Sequence, residues 1–164
     1  MGVRNALIRL TEHGLVDRQE AGNALLFTLN REHLAAPAVL VLADMRAKLI
    51  RRLQATFEGW DLPSVHASMF GSAARGDGDT QSDIDLFIVR PGHVHVDDTA
   101  WREQMDGLSA NVHRWTGNRA GIIEVGGMEI PRLRDENPRV MQNLRREAVL
   151  LYGVDVAELL GAQS

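Results

Sequence analysis

The residues best suited to chemistry lie within one short stretch, VHASMFGSAARGDGDTQSDIDLFIV, at positions 65–89. Residues 65–70 are short, rich in strand-forming types and bounded by Pro63 and Gly71, which predicts a strand. Gly71 and Ser72 end it with small residues that let backbone approach a ligand closely. Residues 73–75 can form a helical turn whose free N–H groups, with Arg75 beside them, suit a phosphate. Residues 76–82 form a polar loop, and the mostly apolar run 84–89 predicts a second strand buried on both faces. Asp83 and Asp85 open that strand two residues apart, so its period of two turns both carboxylates to one side. Two such groups repel, and their burial without a partner is costly. A divalent cation removes that cost, and one or two carboxylates completed by substrate phosphates are the usual magnesium arrangement. A surface loop followed by a strand edged with solvated aspartates is the plainer reading. Gly-Ser or Asp-x-Asp alone carries little weight; their conjunction at the ends of adjacent strands favours metal-assisted chemistry on a nucleoside triphosphate.

Gly71-Ser72, ten intervening residues and then Asp83-Ile84-Asp85 resemble the signature of the DNA polymerase β-like nucleotidyltransferase superfamily, and in particular its minimal nucleotidyltransferase domains. The resemblance implies a small mixed β-sheet flanked by helices, an α/β (α+β) fold. It implies that Gly71 and Ser72 hold the triphosphate, that Asp83 and Asp85 bind magnesium, with two ions expected, and that a third carboxylate from a later strand serves as metal ligand or general base; Arg75 and Ser82 are further candidates for nucleotide contact.

Length and composition accommodate this. The chain has 164 residues, 45% hydrophobic and 24% charged, with a net charge of −4. That is a globular composition, sufficient for one good core or two small modules. No global basic field draws nucleic acid, so any polynucleotide contact must come from a local patch. The absence of cysteine excludes disulfides and thiolate metal sites. No apolar run reaches spanning length, and residues 1–10 place arginines within a helical pattern rather than a signal-peptide core. A cytoplasmic protein without a membrane partner is expected.

The elements that must position the site follow in chain order. Val3, Leu7 and Leu10 share a helical face, and Gly14 suits a C-terminal cap. Residues 15–17 and 24–29 read as strands joined through a turn at Gly22-Asn23. Helix plus hairpin resembles the final part of a winged helix-turn-helix domain, which divides the chain into residues 1–35 and a nucleotidyltransferase domain over 36–164. A complete winged helix needs two more helices before this one, and residues 1–35 balance acidic against basic side chains. DNA binding is therefore expected only with further N-terminal helices. As it stands the segment is expected to pack on the catalytic core or form a dimer contact.

Pro37 begins a helix whose stripe Leu42, Met45, Leu49, Leu53 and Phe57 runs to about Glu58. Lys48, Arg51 and Arg52 form a solvated basic face or, less simply, a site for acceptor phosphates. His93 and His95 alternate, but no third and fourth ligand accompany them. Asp98 or Thr99 caps a helix over 100–115, with Trp101, Met105, Leu108, Val112 and Trp115 facing a core. Residues 119–125 read as the third strand. Glu124 is its one carboxylate and the first candidate for the third acidic residue; Glu129 is the fallback. From Pro138 an apolar stripe of Met141, Leu144, Ala148 and Leu151 predicts a helix ending at Gly153. Arg132, Arg134, Arg139, Arg145 and Arg146 around it either pair with Glu136 and Glu147 or meet a triphosphate or polyanionic acceptor. Asp155 and Glu158 suggest a short final helix.

The expected function is metal-dependent transfer of a nucleoside monophosphate from a nucleoside triphosphate to an acceptor, whether protein, RNA or small molecule. Asp83, Asp85 and Glu124 are the expected catalytic groups. The alternatives are a DNA-binding transcriptional regulator whose fold senses nucleotide, and an antitoxin-like module with a toxin-like partner. A minimal domain leaves its cleft open, so a homodimer mate or partner could complete it.

Overall fold

The computed structural model describes residues 2–77 and 82–161. The chain divides into two compact units, Met1–Met45 and Arg46–Ser164.

The first unit opens with helix α1 (Gly2–Glu12), followed by strands β1 (Val16–Ala21) and β2 (Ala24–Leu29). The strands pair antiparallel from Val16↔Leu29 to Ala21↔Ala24, leaving Gly22 and Asn23 as a two-residue turn. Gly22 has φ +60°, the left-handed conformation such a turn requires. Helix α2 (Ala36–Ala43) ends the unit.

A single helix over residues 37–58 was expected, but the structure has two. Asp44 interrupts the helix, and its N–H turns back to Leu40 O and Leu42 O as a C-cap. Helix α3 (Met45–Glu58) then starts afresh. An Asp side chain competes with the backbone for hydrogen bonds, which makes it a poor helix-interior residue.

The second unit is built on a four-stranded mixed sheet. Its strands are β3 (His66–Phe70), β4 (Ile84–Arg90), β5 (Ala120–Gly126) and β6 (Val149–Gly153), in the order β5-β4-β3-β6. β3 pairs antiparallel with β4 and β6, and β4 pairs parallel with β5. Between β4 and β5 lies helix α5 (Thr99–Thr116), the long crossover that a parallel pair needs. Asp98 caps α5 by accepting from Trp101 N at 3.1 Å.

The sheet is covered on both faces. One face, with Ile84, Leu86 and Ile88, packs on Leu53 and Phe57 of α3 and on Trp101, Met105, Leu108 and Val112 of α5. The other, with Phe70, Phe87, Val89 and Val125, packs on Met141 and Leu144. These belong to helix α7 (Pro138–Glu147), which follows the short helix α6 (Ile130–Glu136). Each fully buried large side chain contributes about 1.5–3 kcal/mol, so β4, apolar on both sides, anchors the fold. An α/β sheet flanked by helices is thus the observed architecture.

Residues 138–153 depart from expectation. The helix ends at Glu147, and Val149–Gly153 crosses to the sheet as β6. Gly153 fixes this edge. It has φ +77°, and a Cβ there would lie inside contact distance of Val65 O. His66 fastens the same end, with Nδ1 2.6 Å from Val154 O and Nε2 2.8 Å from Ser68 Oγ. Asp155 then caps a last turn, α8 (Val156–Leu159), by accepting from Ala157 N. Gly153→Ala should cost more than about 1 kcal/mol, since it combines positive φ with a backbone clash; urea denaturation measures this, and an unchanged midpoint would contradict the packing described.

Candidate active site

β3 ends directly in helix α4 (Gly71–Arg75). Gly71 has φ +70°, and a Cβ on it would collide with Asp85 Oδ2. Glycine is therefore required on two counts, conformation and space. The next residue, Ser72, is half-buried at the start of α4, where the first N–H groups of a helix have no internal partner. The far end of α4 is closed by Gly76, with φ +82° and its N–H on Ser72 O at 2.8 Å. Arg46 reinforces that end by donating to Ala73 O and Ala74 O.

Asp85 lies opposite Phe70 on β3 and opposite Gly121 on β5. A Cβ at Gly121 would lie 2.9 Å from Asp85 Oδ1, 3.5 Å from Asp83 Cβ and 3.9 Å from Asp83 Oδ2. Both carboxylates therefore converge on the space that Gly121 leaves, with Gly71 on the other side of Asp85. The approach to them is fixed by backbone. Asn118 Nδ2 donates to Ser82 O at 2.6 Å, and Ile84 N donates to Arg119 O at 2.8 Å. Asp83 is exposed and Asp85 half-buried.

Burial, and then the charge of Asp83, push the Asp85 carboxyl above its ordinary range, while Arg75 opposes them. This is the expected state of an acidic pair awaiting a cation. Among the described residues no group of three His, Cys, Asp or Glu side chains could hold a metal ion. Two carboxylates fit a magnesium site that substrate phosphates complete.

Arg75 leans away from a purely solvated position. It donates to Asp77 at 3.1 Å and to Glu147 of α7 at 2.8 Å. These bonds raise its pKa, that to Asp77 foremost. Burial would push Glu147 upward, but hydrogen bonds from Arg75 and Arg146 outweigh it and hold the carboxyl low.

The expected positions are thus met unequally. Gly71, Ser72, Asp83 and Asp85 come together, with Arg75 close enough for its charge to act on Asp85. Ser82 contributes its carbonyl to the Asn118 bond. The loop residues 78–81 lie outside the described residues. Glu124 is not brought to the pair. It lies opposite Ile88 on β4, three residues beyond the Asp85↔Gly121 match, and an odd offset turns a strand residue to the other face. There it accepts from Trp101 Nε1 at 2.8 Å, Arg90 Nε at 3.1 Å and Arg102 at 3.4 Å. The fallback, Glu129, accepts from Gly126 N at 2.6 Å and is likewise engaged elsewhere. Gly121 is the residue that sequence reasoning missed. A glycine inside an otherwise apolar strand signals close approach, and here a carboxylate makes that approach.

Comparison with known proteins bears on this geometry. Residues 48–125, spanning α3 to β5, match the model of the nucleotidyltransferase domain. No curated protein matches the chain. Solved structures similar to it include one described as a nucleotidyltransferase from Sulfolobus solfataricus, with 19% identity, 68% of this chain and 86% of that one covered, and a TM-score of 0.39. A mutant of the toxin–antitoxin MntA–HpeT shares 16% identity over 70% of this chain and 80% of that one, with a TM-score of 0.43. A toxin–antitoxin with AMP-PNP shares 19% identity over the same fractions, with a TM-score of 0.40. The matched stretch thus contains the whole glycine and aspartate constellation and ends just beyond Glu124.

Two measurements test this geometry. The folded state favours protonated Asp85, so this group's contribution is fully present below the ordinary carboxylate pKa and is lost as pH rises through the raised one. In chelator, Asp85→Asn should melt higher than the wild type at neutral pH, and the difference should vanish below about pH 4. Magnesium should stabilise only the wild type. Glu124 and Arg90 are 12% and 14% exposed, and truncating one partner of such a pair costs about 3 kcal/mol. Glu124→Ala should lose that much stability in urea yet keep its response to magnesium; loss of the response would contradict the face assigned to Glu124.

Proposed function

We propose that the protein is a magnesium-dependent nucleotidyltransferase that moves a nucleoside monophosphate from a nucleoside triphosphate to an acceptor hydroxyl. The observation that carries this reading is the convergence of Asp83 and Asp85 beside Gly121, next to the turn led by Gly71. The family match over residues 48–125 supports the nucleotide as substrate.

In this reading Ser72 and the first N–H groups of α4 orient the β- and γ-phosphates, and Arg75 adds positive charge beside them. Asp83 and Asp85 would hold magnesium, two ions being expected, and the metal would neutralise charge on the phosphates and favour ionisation of the attacking hydroxyl. The acceptor oxygen bonds to the α-phosphorus, the bond from that phosphorus to the bridging oxygen breaks, and pyrophosphate leaves. Glu124 is committed to Arg90 and Trp101. Among the described residues, the carboxylates at the pair that can receive the hydroxyl proton are Asp83 and Asp85 themselves.

The placement of Glu124 favours a second reading. A site whose expected third carboxylate faces away suits a protein that binds the nucleotide and reports its presence, as a regulator would. The readings separate on turnover: the first requires pyrophosphate release with acceptor, the second requires binding without it.

Titration calorimetry with a non-hydrolysable ATP analogue tests the shared premise. The wild type should bind it only with magnesium, and Asp83→Asn/Asp85→Asn should bind at least about tenfold more weakly, ~1.4 kcal/mol. Either single variant should also lose turnover. Equal binding by the double variant, or turnover retained in a single one, would remove the metal assignment.

A further inference from the structure

The second unit carries a cationic groove along α7 that the nucleotide site does not use. Its lining is Arg134 of α6 with Pro138, Met141, Gln142, Arg145 and Arg146 of α7. The α7 positions follow the i, i+3, i+4, i+7, i+8 spacing of one helical face. Met141 is buried beneath it, and the arginines and Gln142 are exposed.

The charges in this groove are under-compensated. Among the described residues, Arg134 pairs with its neighbour Asp135 alone, at 3.6 Å, and Arg146 with Glu147 at 3.2 Å. Arg145 forms no ion pair among the described residues. Glu147 is itself shared with Arg75 of α4, so one carboxylate joins the groove to the phosphate-facing turn. α7 covers the sheet face bearing Phe87, and Asp85, two residues earlier on β4, points to that face as well.

We propose that this groove binds the phosphate backbone of a single-stranded nucleic acid, leading toward Asp83 and Asp85. As an acceptor site the proposal rests on the transfer reading above. The face from Pro138 to Arg146 extends about 12 Å at 1.5 Å per residue, which is room for more than one phosphate. Guanidinium groups match phosphate oxygens bidentately. The chain's net charge is −4, so this local concentration of arginine is what a polyanion would find. A strand lying along α7 would reach the turn of α4 at the end of the helix where Arg75 and Arg146 share Glu147.

Fluorescence anisotropy with a short labelled single-stranded RNA tests the groove. The wild type should bind it, with log affinity falling against log salt at a slope of about −2, three phosphate contacts at −0.7 each. Arg145→Glu and Arg134→Glu should each weaken binding by at least about tenfold and flatten the slope. Both variants should keep magnesium-dependent binding of the ATP analogue. No RNA binding by the wild type, equal binding by the variants, or competition by polyglutamate as effective as by RNA would overturn the proposal. RNA binding lost in the variants, with no analogue bound by the wild type, would uphold the groove and sink the transfer reading instead.

Discussion

The site depends on two carboxylates held close together in the space left by missing side chains. Asp85 fits only because neither Gly71 nor Gly121 carries a Cβ. Such a pair is costly without a cation, since burial and mutual repulsion both favour protonation of Asp85. The fold sustains the arrangement because β4 is buried on both faces immediately beyond it, with Leu86, Phe87, Ile88 and Val89 at 0% exposure. Apolar burial at about 1.5–3 kcal/mol per side chain offsets a local electrostatic cost of this kind several times over. The Asn118 side chain on Ser82 O and the Ile84 N–H on Arg119 O then tie the backbone on either side of Asp83 to the start of β5.

The helical layer extends the constraint beyond the strands. Arg75, at the end of the turn that α4 forms, is tied to Glu147 at the end of α7, and Arg46 holds the carbonyls of α4. The turn is thus fastened at its C-terminal end while its first N–H groups stay open. On the opposite side of β3, β6 closes the sheet. His66 there is buried between Val154 O and Ser68, and burial lowers its pKa. A neutral imidazole at this position lets a polar side chain sit inside the core without bringing a charge with it.

What could be read from sequence was what local spacing determines. Gly71, Ser72, Asp83 and Asp85 lie within one strand–turn–strand unit, and the strands and turn appear almost where periodicity puts them. β6 was not legible, because Val149 to Leu151 continues the apolar stripe of α7. The choice of strand comes from pairing with β3, a partner some eighty residues earlier in the chain, and from the clash that reserves Gly153. The break at Asp44 was hidden for a similar reason, since an apolar stripe carries across a single capping residue.

Glu124 shows the sharper limit. Its strand was correctly placed, yet the face depended on register with β4, and a one-residue difference in register reverses every side chain. With Asp85 opposite Gly121, the positions facing the pair's side of the sheet are Gly121, Ile123 and Val125. No rotamer carries Glu124 through the sheet, and its bonds to Arg90 and Trp101 would leave buried donors unmet if it moved. Among the described residues, the carboxylates that meet in the space beside Gly121 are therefore Asp83 and Asp85. Under the proposed function, a cation held by this pair would take further oxygen ligands from the nucleotide's phosphates, which would couple the two binding events.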